Sequence, residues 1–290
     1  MPPNSPTMAR ESGAGKHLAQ ERSVRKPGGG GGFTLLELLV VVAILGILAA
    51  LVVPAVAKSM ETANLTKSLN NLRQLVVANQ SYANDNGRYC PADNRKNTMR
   101  WCAKKVGSKW DRTQGYLSDY LGKSRAVGIC PQLEAMASGS FEDGTGGYGY
   151  NASYIGGLPT WAYLKDDTQS RDSLHALGLA RSQTVMFATT AYANGASVQE
   201  YPFCEPPFWD FGTGPSGFRP SPTVHFRFND RALVGWCDGR VTAVSCDPRE
   251  VGFNPHNGDA GSQKLGWFGS DEENGFWNPA RTTSAEIPAP

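Results

Sequence analysis

The chain has almost no excess charge of either sign: 28 Lys and Arg against 26 Asp and Glu leave a formal net charge of +2. It also lacks a basic stripe interleaved with aromatics, so nucleic acid is not an expected partner. Catalytic signatures are missing as well. There is no nucleophile elbow, no phosphate-cradling glycine loop, and no Cys-x2–4-Cys pair or other zinc spacing among the six cysteines. Long aliphatic runs are scarce, with one exception. Residues 1–32 are polar and end in a glycine run, Gly28 to Gly32, whereas Phe33 to Ala57 is almost wholly apolar. The negative mean hydropathy of the chain hides this one segment.

Within it, Leu35 to Val53 reads LLELLVVVAILGILAALVV, which at ~1.5 Å per residue is long enough to cross a ~30 Å hydrocarbon core. Its one charge is Glu37, and a carboxylate at membrane depth costs roughly 2.5–3.5 kcal/mol or more, so it needs a partner. The prefix carries Arg10, Lys16, Arg22, Arg25 and Lys26 against Glu11 and Glu21. That basic excess predicts a cytoplasmic prefix with the remainder of the chain on the far side. A secretory signal shares the basic start and apolar core, but this run is too long for one. All six cysteines, at 90, 102, 130, 204, 237 and 246, follow the anchor. They would therefore sit where disulfides persist, and at least one bridge is expected. Six cysteines allow 15 pairings; the local pair Cys90 with Cys102 is the first choice.

The stretch Gly32-Phe33-Thr34-Leu35-Leu36-Glu37 resembles the leader junction of type IV pilins and type II secretion pseudopilins. In that class a basic leader ends in glycine, cleavage falls before phenylalanine, and glutamate is fifth in the mature chain. Pro54 is 22nd counted from Phe33, where the class commonly has a helix-kinking proline. The resemblance implies that prepilin peptidase cuts after Gly32 and methylates the Phe33 amine. It further implies that Glu37 meets the amino-terminal amine of a neighbouring subunit during assembly, and that an inner-membrane assembly platform and other pilin or pseudopilin subunits are partners.

Beyond the span, Leu65, Leu69, Leu72, Val76 and Ala83 form an apolar stripe at helical spacing, with Leu75 and Tyr82 beside it. The helix is predicted over 33–85, its first half, 33–57, in the membrane. Pro54 should loosen or kink it, and Asn84-Asp85-Asn86-Gly87 should end it with a left-handed glycine. The following Asn86-Gly87-Arg88-Tyr89-Cys90-Pro91 resembles a stretch found after the long helix in pseudopilins. In residues 86–290, Val185 to Thr189 reads as a strand. Ala232 to Cys237 and Arg240 to Cys246 read as a hairpin turning on Asp238-Gly239 as a two-residue loop. That turn would set Trp236 opposite Val241 and Val234 opposite Ala243 on one apolar face. It would also hold Cys237 and Cys246 on the order of 20 Å apart, too far to bridge.

The carboxy-terminal region also resembles a pilin-like group marked by His-x9-Asp-Gly. Here His225, Asp238 and Gly239 are the candidates, with twelve intervening residues and an insertion expected at Phe228 to Arg231. Cys130-Pro131, Tyr148-Gly149-Tyr150-Asn151 and Gly266-Trp267 resemble that group too. His225 and Asp238 are read as structural, since nothing completes a catalytic set. Major pseudopilins resemble one another in a calcium site, and Asp247, Asp259, Asp271, Glu272 and Glu273 are oxygen ligands of the right kind, but their spacing fits no calcium loop. Seven tryptophans, all beyond the anchor, either pack a core or form a glycan-binding face. Asn64-Leu65-Thr66 and Asn151-Ala152-Ser153 fit glycosylation triplets.

The expected fold is therefore α+β: a cytoplasmic leader, 1–32; a long helix, 33–85, membrane-spanning in its first half; and a small antiparallel β-containing head, 86–290, in the periplasm or on a surface filament. The expected function is that of a non-enzymatic filament subunit without a cofactor. A glycan-binding or adhesive subunit is the alternative, followed by a membrane-anchored hydrolase.

Overall fold

A computed structural model describes residues 32–94, 96–137, 142–157, 183–210, 215, 217–246 and 258–281. The leader up to residue 31, Asp247 and Trp161 lie outside the described residues. The chain divides into two compact units, Met1–Pro54 and Ala55–Pro290.

Helix α1, Leu35–Asn86, supplies the described part of the first unit and continues into the second. In the first unit its leucines, valines and isoleucines are exposed throughout. By length and composition this helix is able to cross a membrane. Helical structure runs on through Pro54, which removes one backbone donor. Just beyond it the hydroxyls of Ser59, Thr62, Thr66 and Ser68 donate to carbonyls four residues back, at 2.9–3.0 Å; such side chains compete with the helical ladder.

In the second unit the same helix is amphipathic. Leu72, Leu75, Val76 and Ala83 are buried, with Leu65, Leu69 and Tyr82 packed at the margin. The predicted stripe is the buried one, but it includes two polar residues not anticipated. Ser68 and Asn79 are fully buried, and Asn79 is satisfied by the Cys90 N–H at 2.9 Å and by its own donation to the Tyr150 hydroxyl at 3.1 Å. The helix ends where expected, with Gly87 at φ +73°.

The head is built on an antiparallel sheet of four strands in the order β3-β4-β8-β9. These are Tyr148–Tyr150, Val185–Thr189, Arg231–Trp236 and Val241–Ser245. Smaller pairs flank it: β1, Lys104–Val106, with β2, Lys109–Asp111; β5, Tyr192–Asn194, with β6, Ser197–Gln199; and β7, Val224–His225, with β10, Leu265–Gly266. The short helix α2, Pro131–Met136, starts with proline in its first turn, where the missing N–H costs nothing.

Both faces of the sheet are covered, making three layers. On one side Met186, Phe187 and Leu233 join Leu72, Leu75 and Val76 of α1. On the other, Val185, Ala188, Ala232, Val234 and Trp236 meet Trp267, Phe268, Phe276 and Trp277 from the carboxy-terminal segment. A register shift between Val185 and Phe187 lets the consecutive Met186 and Phe187 share the helix side.

The β8–β9 hairpin differs from the expected one by a residue. Gly235 pairs with Val241, Val234 with Thr242 and Leu233 with Ala243. The Trp236 N–H donates to Arg240 O at 2.9 Å and the Gly239 N–H to Trp236 O at 3.0 Å, closing a three-residue loop with Gly239 at φ +94°. That is a turn followed by a left-handed glycine, not a two-residue turn. Because side chains alternate with period two, the slip sends Val241 and Ala243 to the helix side, away from Trp236 and Val234.

Five of the cysteines and Asn151 lie inside the core. Cys90 and Cys102 are not bridged: both are free thiols inside the core, as are Cys130, Cys204 and Cys237. Cys204 Sγ accepts from the Trp277 indole at 3.3 Å. Asn151 is no surface glycosylation acceptor but a core hub, its amide donating to Val185 O and Trp277 O at 2.9 Å each.

Candidate processing and assembly site

At the amino-terminal end, Gly32, Phe33 and Thr34 are non-helical and exposed, and α1 begins at Leu35. A Cβ built on Gly32 would meet nothing within 4 Å. The chain itself thus tolerates a side chain there, and any requirement for glycine comes from whatever binds this segment. Phe33 is 81% exposed.

Thr34 and Glu37 form a reciprocal cap. The Thr34 N–H and hydroxyl each donate to Glu37 Oε2 at 2.9 Å, and the Glu37 N–H donates to Thr34 Oγ1 at 3.2 Å. This is the capping box of a Thr-x-x-Glu sequence, satisfying helix-end donors that otherwise lack partners. Glu37 thus has a local role besides the intersubunit one that the resemblance implies, and the Thr-x-x-Glu spacing is its signal in the sequence. Both Thr34 donors converge on Oε2, and no bond from Thr34 goes to Oε1.

The carboxy-terminal signature residues are placed on separate elements. His225 lies in β7, fully buried, with the Arg227 guanidinium 2.9 Å from Nδ1. Burial first, then the charges of Arg227 and Lys264, hold its imidazole well below its ordinary pKa, so it is neutral. Asp238 is exposed at the β8–β9 tip, where it accepts from the Arg240 N–H at 3.0 Å and pairs with the Arg240 side chain. Phe228 to Arg231, the expected insertion, is a tight turn with Asn229 and Asp230 at φ +51° and +59°. Its ends exchange backbone bonds of 3.0 and 3.1 Å.

The carboxy-terminal acids are engaged individually. Asp259 caps the N–H groups of Gly261 and Ser262 at 3.0 and 3.2 Å, while Asp271 pairs with Arg219. Among the described residues no group of three or more His, Cys, Asp or Glu is arranged to hold a metal ion. Trp101, Trp236, Trp267 and Trp277 are fully buried, and Trp110 lies under the Arg100 guanidinium at 4.1 Å. These residues pack the core.

Glu205 was not anticipated, and no motif marks it. It is 6% exposed, accepting from the Tyr201 hydroxyl at 3.0 Å through Oε1 while Oε2 has no partner among the described residues. Burial pushes its carboxyl up to about 7, against the lowering effect of that hydroxyl. Raised above its unfolded value, the folded carboxyl holds its proton longer, so its own contribution to stability is greatest in acid and falls as pH rises to about 7. Glu205→Gln should remove this loss. At pH 8 the variant should gain up to about 3 kcal/mol over wild type, and at pH 4 almost nothing, since a pKa unit is ~1.36 kcal/mol. Denaturant titrations of the detergent-solubilised chain at both pH values would measure it; equal gains at both would reject the titration of Glu205 as the cause.

Comparison with known proteins concentrates on the amino terminus. Residues 31–53 match the model of the prokaryotic N-terminal methylation motif. Over 58 residues, 20% of this chain, the sequence is 47% identical to type II secretion system core protein G of Pectobacterium carotovorum subsp. carotovorum, covering 37% of that protein. The Klebsiella pneumoniae core protein G is 48% identical over 58 residues and covered to 41%. The type IV major pilin protein PilA of Myxococcus xanthus is 41% identical over the same length and covered to 26%. The chain thus spans about two fifths of the length of the core protein G relatives that it matches. No solved structure matches it. With the apolar helix Leu35–Asn86 and an antiparallel β head behind it, the amino-terminal segment of this chain is that of the type IV pilin and type II secretion pseudopilin class.

Proposed function

We propose that the chain is a structural subunit, pseudopilin or pilin-like, of a type II secretion or type IV pilus-like filament, cut after Gly32 by prepilin peptidase and methylated on Phe33. The observation that carries this reading is the methylation motif at residues 31–53, which spans Gly32, Phe33 and Glu37. The helix would store the subunit in the inner membrane with its head outside, and then pack against other subunits as an assembly platform adds it to the filament. The chain's own work is assembly rather than catalysis, and it needs no cofactor. The buried tryptophans and the separation of His225 from the Asp238 carboxylate's partners favour this over an adhesive glycan-binding head or a hydrolase.

The test is amino-terminal sequencing and mass analysis of the protein made with and without a prepilin peptidase. With the peptidase, the chain should begin at methylated Phe33. Gly32→Leu should leave only the full-length precursor in the membrane, because a bulky side chain before the cut obstructs close backbone approach. A wild-type chain that keeps residues 1–32 in the presence of the peptidase would replace this reading with a simple membrane-anchored domain.

A further inference from the structure

The four-stranded sheet has two edges, and they are treated differently. On the β3 edge the Tyr150 N–H donates to Pro202 O at 3.0 Å and Tyr150 O accepts from the Cys204 N–H at 2.8 Å, so residues 202–204 stand where a further strand would. The β9 edge has no such cover among the described residues. The Leu233 N–H points to β4, where it donates to Thr189 Oγ1 at 3.0 Å. Alternation along β8 therefore turns Ala232 and Val234 toward β9, where Val244 and Thr242 pair with them. The backbone groups of Val241, Ala243 and Ser245 then face away from the sheet, and no described residue bonds to them. Natural edge strands are commonly shielded by charge, proline or a bulge. Strand β9, Val-Thr-Ala-Val-Ser, has none of these and pairs with β8 in unbroken register.

Beside this edge lies a cavity of about 210 Å³ between α1 and the sheet, with Leu65, Phe228 and Ala243 in its apolar lining and Lys58 and Arg231 as its cations. Glu61 lines it too, held by Asn229 Nδ2 at 2.8 Å. Lys58 and Arg231 are exposed, and among the described residues neither forms an ion pair. Two cations against one carboxylate leave the cavity net basic.

We propose that β9 is a docking edge for an extended segment of a partner protein, which adds as a further strand and sets an apolar and an acidic side chain, two residues apart, at the α1 cavity. Outward N–H and C=O groups at strand spacing are matched by another strand, and such additions take affinity from the main chain and selectivity from pockets for alternate side chains. Cross-strand neighbours share a face. The partner residue opposite Ala243 therefore lies on the helix side, where Ala243 and Leu65 pack, and is apolar. The one opposite Ser245, level with Arg231 in the ladder, meets the cations and is acidic. The proposal concerns the head alone and does not depend on how the amino terminus is processed.

Amide hydrogen exchange, read by NMR on the full chain in detergent, is the first test. Val241, Ala243 and Ser245 should exchange fast, while Thr242 and Val244 are protected by β8. Slow exchange at the first three means that the edge is already covered and overturns the proposal; protection that grows with protein concentration assigns the edge to a second copy and overturns it too. The probe is a capped threonine heptapeptide carrying one leucine and, two positions away, one glutamate, made in both orders for parallel and antiparallel addition. One order should slow exchange at Val241 and Ala243, and lysine in place of the glutamate should weaken binding about tenfold. N-methylation of the peptide at alternate residues on its bonding edge should abolish binding. Ala243→Pro removes an outward donor but spares the β8 ladder, so it should block the peptide with the denaturant midpoint little changed. Should that variant not fold, Arg231→Glu decides, because it should reverse the preference between glutamate and lysine peptides. Absence of binding in either order, or binding that survives N-methylation, overturns the proposal.

Discussion

A Glu37→Leu chain should enter the membrane, be cut after Gly32, and yet give no recoverable filament. Insertion should persist because the substitution removes the one charge from the apolar run and makes it more favourable in hydrocarbon. Cutting should largely survive, since the junction at Gly32 and Phe33 is unchanged. What disappears is the carboxylate that an incoming Phe33 amine would meet in low dielectric. Breaking a buried ion pair costs about 3–5 kcal/mol, which is about two to nearly four orders of magnitude in each subunit-addition equilibrium. The capping box adds a control. Thr34→Ala removes one hydroxyl donor to Glu37 Oε2 but leaves the Thr34 position's N–H and the carboxylate itself. Losing a cap costs about 1 kcal/mol, so it should reduce filaments far less than Glu37→Leu. Sheared-filament recovery beside amino-terminal sequencing of the membrane pool separates assembly from processing. Normal filaments from Glu37→Leu would remove the ion-pair account of assembly.

Gly235→Val should unseat α1 from the sheet. A Cβ on Gly235 would lie 2.5 Å from Val76 Cγ2 and 3.4 Å from Leu72 Cγ, so helix and strand β8 approach as closely as they do only because no side chain intervenes. The backbone at Gly235 is not left-handed, and the obstacle is therefore volume rather than conformation. Overpacking of this kind costs about 1–3 kcal/mol, more where two rigid elements meet. Val76→Ala opens the facing position, and the double variant Gly235→Ala with Val76→Ala should recover most of what Gly235→Ala loses, a coupling that distant pairs do not show. Val77→Ala, at an exposed neighbouring position, should change little. Denaturant midpoints of these chains measure the effect, and an undiminished midpoint for Gly235→Val would mean that the contact between α1 and β8 is not where the head's stability lies.

The sequence by itself determined the apolar run and the extent of the long helix. These are local or one-dimensional properties: apolar length sets a span, a period of 3.6 sets the stripe from Leu65 to Ala83, and Asn86-Gly87 ends the helix by its own backbone preference. Strand β4 was legible for the same reason, as a short apolar run. The capping box is legible too, in the spacing of Thr34 and Glu37. Tertiary structure decided the rest. The hairpin register at Asp238-Gly239 was settled by packing on two sides: Trp236 must enter the aromatic layer while Gly235 faces Val76. A turn dipeptide fits a two- or a three-residue loop, and it cannot choose between them. The places of the cysteines in the core were likewise set by packing. The hold of Arg227 on the carbonyls of Thr190 and Gly147 and the burial of Glu205 depend on surroundings that only packing assembles. No spacing in the sequence encodes either, because both are set by which surfaces the sheet, the helix and the carboxy-terminal aromatics leave no room for water to reach.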